Sequence, residues 1–440
     1  MFVFLLQVRD TLANGRVYLF TIFVTLVWVV WLRRVQLSRR YRPYTEDVSL
    51  TTSVIIPVVD EPEELFDEVL RRIVAQGPDE VIVVINGPRN EPLERICERF
   101  DRVIWRWTEV PGKRNALRVG VDAMLGDIAV LVDSDTIWTT GTLRELLKPF
   151  ADERVGGVTT RQHILAQERH VLTRWADWME SVRNEYSMPA MSVLGTVGCL
   201  PGRTIAFRRQ ILVDAMPAFL SERFLGIFLE VSDDRTLTNE ALKQGYRTVY
   251  QATSEVYTDA PTTWKKMAKQ QLRWARGSQY NTARMLPWML RNARTLAFFY
   301  VCDIVLPFLL VCTITGWVFR ASRVDSPDIY GAFVAHYGRW VALGLMITLS
   351  VVMSTASSAI RQARHLKRRP DDLLRLPAFI LISTFFLMPI RLFGFTRMGH
   401  NSGWGTRSGG YSGERNRNPL AAIPYLIAVA IVVAGTVLPS

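Results

Sequence analysis

Ile128-Ala129-Val130-Leu131-Val132-Asp133-Ser134-Asp135-Thr136 runs an uncharged, β-branched string straight into a pair of carboxylates. Such a string reads as a strand buried on both faces. Thr52-Ser53-Val54-Ile55-Ile56-Pro57 and Glu80-Val81-Ile82-Val83-Val84-Ile85 repeat the pattern upstream, and helical stretches such as Glu63 to Ala75 separate the strings. Alternation of this kind predicts an α/β doubly wound sheet with ligands at the carboxyl ends of its strands. Asn86-Gly87-Pro88 and Asp133 to Thr136 occupy those ends. Carboxylates spaced as Asp133 and Asp135 can share one divalent cation and leave positions for diphosphate oxygens, the coordination that Mg²⁺ favours. Loop carboxylates also cap helices, which is the competing reading.

The chain of 440 residues is 49% hydrophobic and 21% charged, more apolar than a soluble enzyme and too charged for a pure channel. A soluble domain joined to a few membrane helices fits. The net charge of +12 would suit nucleic acid, but the Lys and Arg cluster beside apolar runs, as cytoplasmic flanks of membrane helices do, so no nucleic-acid partner is expected. Cys97, Cys199, Cys302 and Cys312 lie far apart without metal-ligand spacing, and no disulfide framework is expected.

A bilayer core about 30 Å thick takes about 20 helical residues. Val17 to Leu32 is uncharged and extendable toward the N-terminus, lacks a small-residue cleavage site, and is followed by Arg33, Arg34, Arg39, Arg40 and Arg42. It reads as a retained anchor, with residues 1–49 as anchor and basic linker and 50–275 as a cytoplasmic domain. Residues 276–296 mix Arg284, Arg291 and Arg294 with Met285, Trp288, Met289 and Leu290, which suits an interfacial helix. Ala297 to Phe319 and Trp340 to Ile360 can each span, and the basic run Arg361 to Arg369 makes 297–360 an out-and-back hairpin. Within the cytoplasmic segment 361–418, Leu376 to Phe395 carries Arg391, Pro377 and Pro389 and reads as interfacial or re-entrant. Leu420 to Leu438, in 419–440, is the last span. A multi-pass protein of the plasma or inner membrane, with the lipid bilayer as a partner, is expected.

Further motifs lie along the same block. Asp60 follows the first string and Asn86 the second; Asp60 could merely cap the next helix, whereas the Asn86 amide can both donate to and accept from a nucleobase edge. Gly112-Lys113-Arg114 precedes the D-x-D string by some twenty residues, and its Lys could equally be a solvated surface charge. Ser232-Asp233-Asp234-Arg235 can supply a carboxylate base, or can complement a helix dipole. Gln270-Gln271-Leu272-Arg273-Trp274 offers an Arg for a departing diphosphate and a Trp face for a sugar ring, or else an anchoring membrane-surface helix. Trp404-Gly405-Thr406-Arg407 sits in a Gly-rich stretch that reads as a linker or as a loop closing over a nucleotide.

In order and spacing these motifs resemble those of the processive membrane-bound family 2 glycosyltransferases, above all the hyaluronan synthases, with chitin and cellulose synthases also similar. The resemblance implies a GT-A-like cytoplasmic domain plus an α-helical transmembrane region with interfacial helices. It implies an inverting, metal-dependent transferase that polymerises sugar from a UDP-sugar donor onto a growing β-linked glycan acceptor and exports it. By the same resemblance Asp234 is the catalytic base and Asp135 the ligand of Mg²⁺ or Mn²⁺. Asp60, Asn86, Lys113, Asp133, Asp233, Gln270, Arg273, Trp274, Trp404 and Arg407 contact substrate. Leu194 to Arg208 is similar to the family's Gly-containing acceptor floor, within which Cys199 reads as packing. Hyaluronan synthases usually carry more spans than the four expected here, so self-association into a homo-oligomer is expected to complete a glycan pore. The competing readings are a transferase that adds one sugar to a lipid and a nucleotide-binding membrane receptor or transporter.

Overall fold

The computed structural model describes residues 2–15, 18–321, 329–400 and 418–437. Two compact units emerge, one of residues 35–296 with 399–421 and one of residues 1–34, 297–398 and 422–440.

The first unit is built on eight strands: β1 Thr52–Val58, β2 Glu80–Asn86, β3 Val103–Thr108, β4 Ile128–Val132, β5 Thr136–Trp138, β6 Val155–Ile164, β7 Thr204–Arg208 and, after a small hairpin of β8 Arg223–Phe224 with β9 Ile227–Phe228, β10 Arg247–Thr258. Their order is β3-β2-β1-β4-β7-β6-β10-β5. The three strings read from the sequence are β1, β2 and β4, mutually parallel, with Ile55 opposite both Ile82 and Leu131. Every residue of β1 and β4 is buried, because helices cover both faces and no side of the strand meets water. The helix Glu63–Val74 lays Phe66, Val69, Leu70 and Ile73 on one face, the i, i+3, i+4, i+7 stripe of a helix docked on a sheet. The sheet is mixed rather than wholly parallel: β7 runs antiparallel to both β4 and β6. The architecture is the GT-A-like one.

The helix Lys113–Ala123 packs so tightly on β1 that a Cβ on Gly120 would lie 2.4 Å from Ile55 Cγ2. The segment 276–296, expected as a separate interfacial helix, is for the most part a continuation of the helix Trp264–Asn292. Its Gly277, Tyr280, Asn281, Thr282, Met285 and Met289 are buried and Tyr280, Asn281, Thr282 and Arg284 bond to the first unit, so the basic and apolar mixture there serves packing on that unit.

In the second unit, four helices of the described residues are long and apolar enough to cross a membrane: Leu19–Ser38, Arg294–Val318, Arg339–Arg361 and Asp372–Thr396. Three of these helices cover segments expected to span. Asp372–Thr396, expected as interfacial or re-entrant, runs 25 residues without a break, its interior Pro377 and Pro389 accommodated beside a π-helical turn at Ser383–Leu387. Among the described residues, the C-terminal apolar helix, expected as the last span, covers Pro419–Gly435. At the N-terminus a separate helix, Phe2–Asn14, ends at Gly15 with φ +67°, so Leu19–Ser38 is not simply extended backward. His365 and Asp372 form a buried pair at 2.8 Å where the Arg339–Arg361 helix gives way to Asp372–Thr396.

Because the Gly120 contact leaves no room for a methyl group, Gly120→Ala is expected to lower stability by about 1–3 kcal/mol despite its better helix propensity. Thermal unfolding of the full chain in detergent tests this, and a raised midpoint would contradict it.

Candidate active site

The carboxyl ends of β1, β2 and β4 carry Asp60, Asn86, Asp133 and Asp135 of the expected site residues. Asp60 is exposed in the loop after β1, and Asn86 is the buried last residue of β2. The helix that follows Asp60 is capped at Pro62 without any side-chain bond, so Asp60 is not its N-cap. After β4, Asp133 and Asp135 are half-buried and lead directly into β5, so no helix begins there for them to cap. Ser134 Oγ donates to Glu61 Oε1 at 2.8 Å, which joins the loop after β1 to the loop after β4.

Lys113 and Arg114 open a helix at Gly112, whose φ of +110° turns the chain into it. The two neighbours separate. The Lys113 ammonium bonds Asp133 Oδ1. The Arg114 guanidinium instead enters the interior, 2.8 Å from Asp233 Oδ1 and 2.6 Å from Glu222 Oε2, with Arg114 1% and Glu222 0% exposed. Glu222 also accepts from the Thr236 hydroxyl at 2.8 Å and pairs with Arg284. Asp233, expected to touch substrate, therefore gives its carboxylate to Arg114. Its neighbour Asp234 accepts from the Arg235 amide at 2.8 Å and the Gly202 amide at 3.2 Å.

Both aspartates lie in the first turn of the helix Asp233–Lys243, where the dipole favours them, so that reading and the base reading are compatible. Ser232 before them holds a left-handed φ of +70°. Gly277 of the helix Trp264–Asn292 permits this: a Cβ there would meet Ser232 Cβ at 2.5 Å.

Lys113, Gly202, Asp233 and Asp234 line one pocket together with Pro57, Leu117, Leu131, Val132, Ile205 and Leu237. Burial pushes the Asp234 carboxyl above the ordinary carboxylate range; Lys113 and the Arg235 amide pull it down, Asp233 and Asp133 push it further up, and the balance stays upward. Burial lowers the Lys113 ammonium, but Asp133, Asp233 and Asp234 outweigh this and hold it above its ordinary value. A carboxylate with raised proton affinity beside a fixed cation can accept a proton from a hydroxyl while the cation meets an anion.

Gln270 and Arg273 are half-buried on the helix Trp264–Asn292, and Trp274 is 41% exposed with its ring over the Arg203 guanidinium at 5.9 Å. Trp404 and Arg407 lie outside the described residues. No three His, Cys, Asp or Glu side chains converge as a metal cage among the described residues. Asp135 and Asp133 could supply hard oxygens to a cation completed by diphosphate and water.

Sequence reasoning passed over Arg114, Glu222 and Arg203. Arg114 sits beside a Lys in a helix start, where charges are ordinarily solvated, and Glu222 belongs to no motif. Cys199, read as packing, faces the site: its Sγ lies 3.8 Å from Asp234 Oδ2, and burial pushes the thiol up.

Residues 51–277 match the family model described as glycosyltransferase like family 2. The chain is 26% identical over 384 residues to hyaluronan synthase of Streptococcus pyogenes, covering 84% of this chain and 87% of that one. It is 28% identical to an N-acetylglucosaminyltransferase of Azorhizobium caulinodans, over 68% of this chain and 75% of that one. With hyaluronan synthase 3 of Mus musculus it shares 26% identity over 79% of this chain and 60% of the relative. Among solved structures it resembles a mannosyltransferase from Pyrobaculum calidifontis, determined with GDP-Man and Mn²⁺, at TM-score 0.55 and 18% identity over 84% of this chain and 97% of that one, a likeness of fold.

Removing the Arg114 guanidinium would strand two buried carboxylates. Arg114→Met is expected to destabilise the protein by about 3–5 kcal/mol, far more than a surface Arg change. Chemical denaturation of the full chain checks this, and a loss below about 1 kcal/mol would be the value of an exposed pair.

Proposed function

From the chain's membership of glycosyltransferase family 2, we propose that it is a hyaluronan-synthase-like enzyme that polymerises sugars from a UDP-sugar donor into a β-linked polysaccharide and exports it. The observation that carries the reading is that Asp234 and Lys113 line one pocket at the strand ends while the Lys113 ammonium pairs with Asp133. Asp234 takes the proton of the acceptor hydroxyl as that oxygen attacks the anomeric carbon, the carbon–oxygen bond to the diphosphate breaks on the opposite face, and configuration inverts. Lys113 and Arg273 meet the negative charge that develops on the leaving UDP. Asn86 and Asp60 face the nucleoside, Trp274 seats the acceptor sugar with Gln270 beside it, and Trp404 and Arg407 close over the donor. Asp135, with Asp133, would hold Mg²⁺ or Mn²⁺, which when bound supplies positive charge to the diphosphate oxygens.

The membrane helices would pass the growing glycan through the lipid bilayer, with the catalytic domain cytoplasmic as the basic flanks Arg33 to Arg42 and Arg361 to Arg369 support. Four spanning helices make a thin wall for a channel, so the pore would be completed by self-association. Trp274 is a feature that a transferase adding one sugar to a lipid has less need of.

Purified full-length protein in nanodiscs, given Mn²⁺ and a panel of UDP-sugars, tests the reading through UDP release and product length. Products limited to one added sugar would remove processivity. Asp234→Asn is expected to keep UDP affinity while turnover falls by a factor on the order of 10² or more. Because the base must be ionised and burial holds its carboxyl up, wild-type turnover should fall with decreasing pH along a limb centred above 3.8, the ordinary aspartate value. A limb at or below that value would count against Asp234. Chelation by EDTA should abolish turnover and Mg²⁺ or Mn²⁺ restore it, with Asp135→Ala not rescued; full activity in chelator would take the metal out of the mechanism.

A further inference from the structure

Gly202 and Arg203, consecutive in the chain, contact Asp234, Asp133 and Trp274 between them. The Gly202 amide donates to Asp234 Oδ2 at 3.2 Å, and the Arg203 carbonyl accepts from the Asp133 amide at 3.2 Å. The Arg203 side chain serves a different partner. Its Nη1 donates to Gln162 Oε1 at 2.8 Å and to Glu180 Oε1 at 3.1 Å, and its Cζ lies 5.9 Å from the centre of the Trp274 ring.

These contacts differ in kind from ordinary packing. Arg203 is buried, whereas Trp274 is nearly half-exposed and so lacks the enclosing side chains that fix the rotamer of a core Trp. A guanidinium held by a buried carboxylate and a buried amide offers the ring a flat cationic seat, for which indole is the best aromatic partner. One turn further along the helix, Gly277 rests against Ser232, the residue that precedes the Asp233-Asp234 pair. Positions 274 and 277 share a helix face. The indole and the Asp234 carboxylate are thus both referenced to the chain around Gly202 and Ser232.

We infer that Arg203 is a positioning residue for the acceptor: clamped by Glu180 and Gln162, it sets the orientation of the Trp274 ring on which the acceptor sugar packs. The inference rests on the reading of Trp274 as the acceptor platform. Arg203 touches neither donor nor acceptor in this role, so its loss should act on the acceptor side alone.

The test uses the full chain in nanodiscs, the UDP-sugar that supports fastest UDP release, and a short β-linked oligosaccharide of the same sugar as added acceptor. Arg203→Gln is expected to raise the acceptor KM by about 5–10-fold while UDP affinity and donor KM stay within about twofold, with Arg203→Lys in between because it keeps the charge without the flat fork. Trp274→Ala should raise the acceptor KM at least as much. An unchanged acceptor KM in Arg203→Gln beside a raised one in Trp274→Ala overturns the role of Arg203 and leaves the platform standing. An unchanged acceptor KM in Trp274→Ala overturns the platform itself and the inference with it. Should Arg203→Gln fail to fold, as loss of UDP binding would report, Glu180→Gln loosens the clamp with the guanidinium retained. A raised acceptor KM with normal UDP affinity in that variant supports the inference, and a wild-type acceptor KM overturns it.

Discussion

The guanidinium of Arg114, sealed between Glu222 and Asp233, is the contact on which the site's geometry depends. A charge taken out of water is tolerated only where partners satisfy it, so the elements that supply those partners are bound to one arrangement. Here they are the helix starting at Lys113, the turn ahead of β8, the helix starting at Asp233 and, through Tyr280 and Arg284, the helix Trp264–Asn292. Residues that face the pocket adjoin those that build the network: Lys113 beside Arg114, and Asp234 beside Asp233, which also lines the pocket. Adjacent residues of a helix point about 100° apart, so fixing Arg114 inward aims Lys113 into the pocket.

Sheet topology does the rest. Strand β7 lies antiparallel to β4, with Val132 opposite Thr204, so the residues that lead into β7 run beside those that leave β4. In a wholly parallel sheet the entry to one strand and the exit of its neighbour lie at opposite edges. The reversal brings Gly202-Arg203 alongside Asp133, and with it a backbone amide for Asp234 and a cationic seat for Trp274. The glycine matters for space as well: a Cβ on Gly202 would lie 3.5 Å from Asp234 Cβ and 3.6 Å from Lys113 Nζ, inside the pocket.

How much of the chain could be read from its sequence depends on how local each signal is. Strands β1, β2 and β4 were legible because burial on both faces leaves an unbroken apolar string, and Asn86, Asp133 and Asp135 were legible by their place at the carboxyl ends of such strings. The reversed β7 was not, since Thr204 to Arg208 has the same short apolar look in either direction. Nor was the interior fate of Arg114 or Asp233: a charged residue in a first helical turn carries no mark of whether water or a distant carboxylate will receive it. The continuity of the apolar segment 376–395 was not legible for a related reason. Arg391 and two prolines argue against a straight span, but a π-helical turn absorbs the prolines and the helix runs on.

The seating of Gly277 against Ser232 and of Trp274 over Arg203 bears on how relatives of this chain can diverge. Inserting or deleting one residue between those positions would swing the indole by about 100° around the helix axis relative to the Ser232 contact. Side chains between the two positions can be exchanged, but Gly277, the indole and the spacing cannot. Lineages descending from a common ancestor with this site should therefore vary by replacement at Ala275 and Arg276 between them and place their length changes in the connections between helices and strands.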